Sequence, residues 1–339
     1  MTDQPAKVTA TDVARLAGVS QSAVSRVFTP GASASKATIE KVRAAAEKLG
    51  YRPDPLARAM ITGRTRIIGL VVAYLENQFY PVAIEHLSRV LQSRGYHVLV
   101  FMAENSTEKV PQVVQELLDY RVDGIITASV AMTNDLTARC RAAGIPVVMF
   151  NRGQDDAGLS EVTSDNVAGG RRVADHLIAT GHRRIAHIMG WQGSSTGRDR
   201  ARGFTEALRE AGLQPFAMID GMYSRDEAAK ATRALFSGPD RPDAIFVGND
   251  HMAFAVMDCL RFELGLSVPG DVSVIGYDDV PLAAWPSYNL TTLRQPVRRM
   301  VDATVEILLN QIEGETTPSR IRIEGPLIER GTVRERTGT

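Results

Sequence analysis

The chain has 339 residues, 44% of them hydrophobic and 23% charged, with 39 basic and 39 acidic side chains. This is more chain than one core organises, since cores stop growing at roughly 250 to 300 residues, and the composition excludes a disordered or fibrous protein. The balanced total is silent about an anionic partner, but the distribution is not: up to Arg66 there are 11 Lys or Arg against 5 acids, leaving 28 against 34 in the rest. A basic head on an acidic body is the electrostatic footprint of a nucleic-acid-binding module joined to something else.

In chain order, the first element is a helix opening at Thr9, where Thr9 and Asp12 have the spacing of a capping box. Val13, Leu16 and Ala17 give it one apolar face. Gly18 allows a tight turn, and Ser20 is placed to cap a second helix, QSAVSRVF. Val24, Val27 and Phe28 point inward there, which turns Gln21, Ser22, Ser25 and Arg26 outward. Gln can pair bidentately with adenine and Arg with guanine in a major groove. A third helix, capped by Ser35, runs through ATIEKVRAAAEKLG and closes a small three-helix core. The alternative is a packed helical hairpin with a solvated polar face.

Next comes YRPDPLARAMITGR. Asp54 followed by Pro55 predicts a helix start, but eight residues of helix fall short of the ~12–15 needed for independent stability, so something must order it.

From Ile67 short β-branched runs alternate with amphipathic patterns: IIGLVV, a helix near Pro81 to Arg94, HVLVFM, a helix near Lys109 to Tyr120, GIIT, a helix near Leu136 to Ala143, and PVVMFN. A second series follows, with a helix from Asn166, RIAHIMG, a helix from Arg200, AMID, a helix from Arg225, AIFVGN, a helix from Asp250, and VSVIGYDD. Such alternation predicts parallel sheets covered by helices, and two series of equal length predict two lobes with a cleft between them. Cys140 and Cys259 lie in apolar helical patterns and read as buried thiols of a reducing compartment. The start lacks the apolar core of a signal peptide, and no stretch approaches the ~20 apolar residues that span a bilayer, so a cytoplasmic protein is expected, with no membrane partner.

The body lacks a GxGxxG after a strand, a P-loop, a GxSxG and an HExxH, so no enzyme activity, metal or cofactor is expected. His176, His182 and His187 fit helix surface or helix end better than a metal site. The polar residues at strand ends are the informative ones: Asn151 and Arg152 after PVVMF, Asp165 ending EVTSD, Asn249 and Asp250 ending AIFVGND, and Asp278 and Asp279 ending VSVIGYDD. Strand ends converge on the cleft of an α/β protein, where ligand-orienting groups belong. Helix capping is the competing reading for each carboxylate, Asp250 above all.

VTATDVARLAGVSQSAVSRVF and EKVRAAAEKLGYRPDPLARAM, followed in order by IIGLVV, RVDGIITAS, GIPVVMFNR, GHRRIAHI, FVGNDHMAFAV, VPGDVSVIGYDD and LTTLRQP, resemble the LacI (lactose repressor) and purine repressor family over nearly the whole chain. The resemblance implies an α/β protein: a helix-turn-helix head over residues 1–53, a hinge helix and linker over 54–63, and a two-lobed, periplasmic-binding-protein-like body over 64–339. Lobe one is expected over about 64–164 and 293–320, and lobe two over about 165–290 and 321–334.

The implied function is sequence-specific DNA-binding transcription regulation, by a homodimer reading a pseudo-palindromic double-stranded operator, nucleoid-associated when bound. Expected DNA contacts are Thr9, Ser20, Gln21, Ser22, Ser25, Arg26, Ser35, Thr38 and Tyr51 in the head, with Ala57 and Met60 in the hinge. Met60 is the expected minor-groove wedge, where the family more often has leucine. Arg200, Asn249 and Asp278 match the family's effector-binding arginine, asparagine and aspartate, and Phe79, Tyr80 and Tyr223 its aromatic walls. Asp165, Arg152 and Arg198 complete the expected set, the two arginines suiting a carboxylate or phosphate. A sugar, sugar acid or sugar phosphate is the expected effector, as inducer or corepressor. The rivals are a periplasmic solute-binding protein, which leaves the basic head unexplained, and a dehydrogenase or sugar kinase, which needs a phosphate-binding glycine loop.

Overall fold

The computed structural model describes residues 8–29, 32–52, 63–103, 109–130, 134–154 and 158–334, and it divides into two units, 1–65 and 66–339. The expected hinge helix, with Ala57 and Met60, lies outside the described residues.

The first unit holds α1 (Ala10–Ala17), α2 (Gln21–Val27) and α3 (Lys36–Leu49). Each start is capped by the side chain the sequence offers. Thr9 accepts from the Asp12 amide and Asp12 accepts from the Thr9 amide, closing a capping box, while Ser20 caps α2 and Ser35 caps α3. Gly18 and Gly50 end α1 and α3 in the left-handed conformation, at φ 63° and 64°. The core is Val13, Ala14, Val24, Val42, Ala45 and Ala46, with Val27 and Phe28 packed at its edge. Leu16, expected inside, is 45% exposed, and Ala14 takes the inward position instead.

The second unit contains two six-stranded sheets. The first lobe runs β1 (Ile67–Val72), α4 (Phe79–Ser93), β2 (His97–Met102), α5 (Lys109–Asp119), β3 (Gly124–Ala128), α6 (Asn134–Ala142), β4 (Val147–Phe150) and β5 (Ser160–Ser164). The second runs α7 (Asn166–Ala179), β6 (Ile185–Met189), α8 (Ser195–Glu210), β7 (Ala217–Asp220), α9 (Arg225–Leu235), β8 (Ala244–Val247), α10 (Asp250–Asp258), β9 (Ser273–Asp278) and β10 (Thr291–Arg294). The chain then returns to the first lobe for α11 (Val297–Ile312) and β11 (Arg320–Ile323), and ends the second sheet with β12 (Leu327–Ile328).

Strand orders are β11-β5-β4-β3-β1-β2 and β12-β10-β9-β8-β6-β7. All described pairings are parallel except β10 with β12. Each sheet reverses its winding once, between β1 and β3 and between β6 and β8, and the crevice outside the strand C-termini at such a reversal is where α/β sheets bind ligands.

The lobe junctions differ from those expected. β10 pairs with β9 and so belongs to the second sheet through Arg294, and β11 pairs with β5 and so belongs to the first sheet. α8 starts at Ser195 behind a Ser194 cap, five residues before the expected start at Arg200. Both cysteines are free and buried, Cys140 on α6 and Cys259 directly after α10.

Candidate functional site

On the head, the α2 backbone directs Gln21, Ser22, Ser25 and Arg26 away from Val24, and all four are exposed. Ser20 and Ser22 share a hydrogen bond of 2.9 Å, and the Arg26 Nε lies 3.4 Å from the Ser22 carbonyl. Thr9, Ser20 and Ser35 are exposed caps, Ser35 lies 2.8 Å from Thr38, and Tyr51 packs its ring 5.9 Å from that of Phe28. The result is a rigid helix presenting two long polar side chains and two hydroxyls, a form that enters a major groove.

In the body, the C-terminal ends of both sheets meet around a polar cavity of about 10 Å³. Tyr74 and Asn77 follow β1 and Tyr80 lies in the first turn of α4. Asn151 and Arg152 follow β4, Thr196 and Arg200 come from α8, Tyr223 follows β7, Asn249 follows β8, Asp278 ends β9 and Gln295 follows β10.

Arg200 is the buried centre of this arrangement. α7 and α8 approach so closely that a Cβ on Gly170 would lie 2.1 Å from the Arg200 carbonyl, and one on Gly203 would lie 2.0 Å from that of Val167. This contact seats the Arg200 guanidinium 3.6 Å over the Tyr277 ring, donating to Asn166 (2.9 Å) and to the Gly248 carbonyl (2.6 Å). Its remaining amino group stands 3.8 Å from Asp278. The Asp278 carboxylate accepts from Gln295 (2.7 Å) and, across the cleft, from Asn77 (3.1 Å). Two further contacts join the lobes: the Gly153 amide donates to Ser195 (2.9 Å), and Arg152 lies 5.5 Å over the Trp191 ring.

Several of these positions carry backbone strain. Ser129, Asn151, Tyr223 and Asp278 have φ of 68°, 67°, 56° and 124°. Left-handed conformations of non-glycine residues cost of order 1–3 kcal/mol each and gather where function demands a particular side-chain direction. Asp250 supports the Asp278 turn: fully buried, it accepts from the Val280 amide (3.0 Å) and the Thr292 hydroxyl (2.6 Å). Burial, and then the neighbouring Asp278 charge, push the Asp250 carboxyl well above the usual carboxylate range. Burial also raises Asp278, against the pull of Arg200, Asn77 and Gln295. Ser129 and Asn151 both donate to the Tyr80 hydroxyl. Two acceptors around the cavity, Asn151 Oδ1 and Gln295 Oε1, are buried without a partner among the described residues.

The structure brings together Tyr80, Arg152, Arg200, Tyr223, Asn249 and Asp278 from the expected set. Asn249 also caps α10, accepting from the Met252 amide, so the cap expected of Asp250 belongs to its neighbour. Three expected residues fall elsewhere. Arg198 is exposed and reaches the Gly193 carbonyl, because on a helix two residues of rise turn it to the side opposite Arg200. Asp165 caps α7 through the Ala168 amide. Phe79 stacks on Phe150 in the core and lines a separate cavity. His187, read as helix surface or helix end, sits on β6, stacked 4.1 Å from Phe246 and held by burial at a pKa of about 3. Tyr74, Asn77, Thr196 and Gln295 were missed; they lie in loops or a first helical turn, where no periodicity marks them.

Residues 9–54 match the model of bacterial regulatory proteins of the lacI family, and residues 174–333 that of the periplasmic binding protein-like domain. The HTH-type transcriptional repressor PurR of Vibrio vulnificus is 34% identical over 96% of this chain and 98% of its own. The ribose operon repressor of Escherichia coli K12 is 33% identical over 95% and 98%. A solved lac repressor dimer, bound to operator and the anti-inducer ONPF, superposes with a TM-score of 0.86 at 29% identity, covering 96% of this chain and 99% of that one. With its head face, its two-lobed body and a buried polar cavity at the sheet ends, the chain belongs to the LacI family of bacterial regulatory proteins and is a DNA-binding transcription regulator, not an enzyme.

Proposed function

We propose that the protein is a cytoplasmic, homodimeric repressor, nucleoid-associated when bound. Its paired α2 helices read the two halves of a pseudo-palindromic operator, Gln21, Ser22, Ser25 and Arg26 meeting base edges or phosphates. A small polyhydroxylated effector, a sugar or sugar derivative, binds between the lobes and sets the grip on DNA, as inducer or corepressor. Met60 of each hinge wedges the minor groove.

The two orphaned acceptors, Asn151 Oδ1 and Gln295 Oε1, carry the effector reading. Each unpaired buried acceptor costs about 1–3 kcal/mol, and a ligand with hydroxyls on two edges supplies the missing donors. Arg200, Asn249 and Asp278 orient the remaining hydroxyls, while Tyr74, Tyr80 and Tyr223 offer ring faces. Ligand pockets are usually about 300–1,000 Å³. The present cavity of about 10 Å³ holds no more than a water molecule, so an effector enters only as the lobes separate. That separation is the motion relayed to the paired heads.

The test is selection of genomic fragments by the purified protein, repeated with Gln21→Ala plus Arg26→Ala. A short palindromic consensus that the double variant loses is expected; a consensus indifferent to it overturns the reading of the head. Melting-temperature screening against pentoses, hexoses, sugar acids, sugar phosphates and purines tests the cavity. A response confined to purines overturns the sugar assignment.

A further inference from the structure

We propose a second small-molecule site in the body, on the side where the chain crosses between lobes, suited to a small carboxylate with an apolar ring or branched body. A cavity of about 450 Å³ lies there, within the range of ligand pockets. Its walls come from both lobes: Phe79 and Val82 of α4 on one side, Val280 and Pro281 after β9 on the other, with Val297 at the start of α11 between them. These five side chains are apolar and suit an apolar body, while the polar part of the lining, Asp278, Asp279, Arg294, Gln295, Arg298 and Arg299, lies beside them.

The charge on the lining selects the other half of the ligand. Two carboxylates face the cavity, and both are already engaged. Asp279 holds Arg294 and Arg330, each at 2.6 Å, and Asp278 holds Gln295, Asn77 and Arg200. Arg298 and Arg299 also line it, exposed, with no hydrogen bond or ion pair among the described residues. Their guanidiniums match the planar, bidentate geometry of a carboxylate. An acid held there by its charge, with its apolar body against Phe79, Val82, Val280 and Val297, satisfies both parts of the lining.

The site stands independently of the sugar reading and shares only Asp278 and Gln295 with the polar cavity. A ligand touching both lobes favours the lobe angle at which both walls reach it. The second site therefore acts on the same motion as the effector.

The probe is 1-naphthoate, titrated by its fluorescence into the full-length protein, with the uncharged 1-naphthalenemethanol as comparison. Saturable binding of one naphthoate per protomer is expected, with the alcohol at least about tenfold weaker. Arg298→Glu plus Arg299→Glu, both on exposed side chains, is expected to weaken naphthoate binding at least about tenfold, and Val82→Trp to abolish it by filling the cavity. Tyr223→Ala, in the polar cavity, is expected to leave it unchanged. Binding indifferent to the arginine pair or to Val82→Trp overturns the proposal, as does the absence of saturable binding. Loss in Tyr223→Ala places the acid in the polar cavity and equally overturns it. The genomic selection is unaffected by any of these results, so failure here is distinct from failure of the regulator reading.

Discussion

In the head, the four side chains proposed to meet DNA come from six consecutive positions of one helix and are exposed. In the body, the eleven residues around the polar cavity come from seven separated stretches of chain, and most are buried. A helix face can therefore change its sequence with little effect on folding, because its outward side chains are exposed and the bonds they make stay on their own helix. A cavity residue is also a core residue, and changing it disturbs stability and binding together.

Arg200→Ala is the sharpest test of that difference. It leaves Asp278, Asn166 and the Gly248 carbonyl without their buried cation and is expected to cost the body about 3–5 kcal/mol in urea unfolding. Gln21→Ala plus Arg26→Ala is expected to shift the same transition by less than about 0.5 kcal/mol. Equal effects would break the comparison.

Acid sharpens it further. Unfolded, His187 takes up a proton below its usual 6.5; folded, it resists until about 3. The unfolded state binds more protons in that window, so this residue's contribution falls with pH by up to about 1.4 kcal/mol per unit. Asp250 and Asp278, raised by burial, act with the opposite sign: their contribution is present at low pH and lost as pH rises through their folded values. Unfolding at pH 7, 5.5 and 4 is expected to show a steeper acid loss in the wild type than in His187→Phe. The head should lack that histidine limb.

Asn77→Ala removes the amide that occupies Asp278 from the opposite lobe and is expected to loosen closure by about 1.5–3 kcal/mol, as for a hydrogen bond to a charged group. In a Trp285→Phe background Trp191 is the sole tryptophan, and its place under Arg152 makes its emission a reading of lobe separation. A red-shifted, weaker emission in Asn77→Ala is expected; an unchanged spectrum would falsify a closing role for the Asn77–Asp278 bond. The smallest effect belongs to Thr9→Ala. Losing the capping box should destabilise the head by about 1 kcal/mol, seen as faster amide exchange in α1 with none in the body.

The same contrast explains what was legible in the sequence. Thr9, Ser20, Ser35 and Gly18 act on their own neighbours, and local rules find such residues. The strand-end residues Asn249 and Asp278 were legible because apolar runs mark where strands stop. Arg198 was chosen for its charge alone, and charge does not say which side of α8 a side chain takes; that depends on the helix register, which starts at Ser195. For Asp165 the sequence left capping and ligand binding open, because both ask for the same carboxylate at the same place, and the structure shows the cap. Asn77 and Gln295 acquire their role from Asp278, 201 and 17 residues away, and nothing in their own neighbourhood marks it.

The triple crossing between lobes has a consequence for synthesis. The head is a continuous stretch and can fold as soon as it emerges. Neither half of the body is continuous: β3 and β4 lack their α11 cover, and β5 lacks its outer neighbour, until residues up to Ile323 exist, and β10 waits for Leu327 and Ile328. A growing chain thus displays a finished reader ahead of an unfinished regulator, with open sheet edges that invite mispairing until residues up to Ile328 arrive.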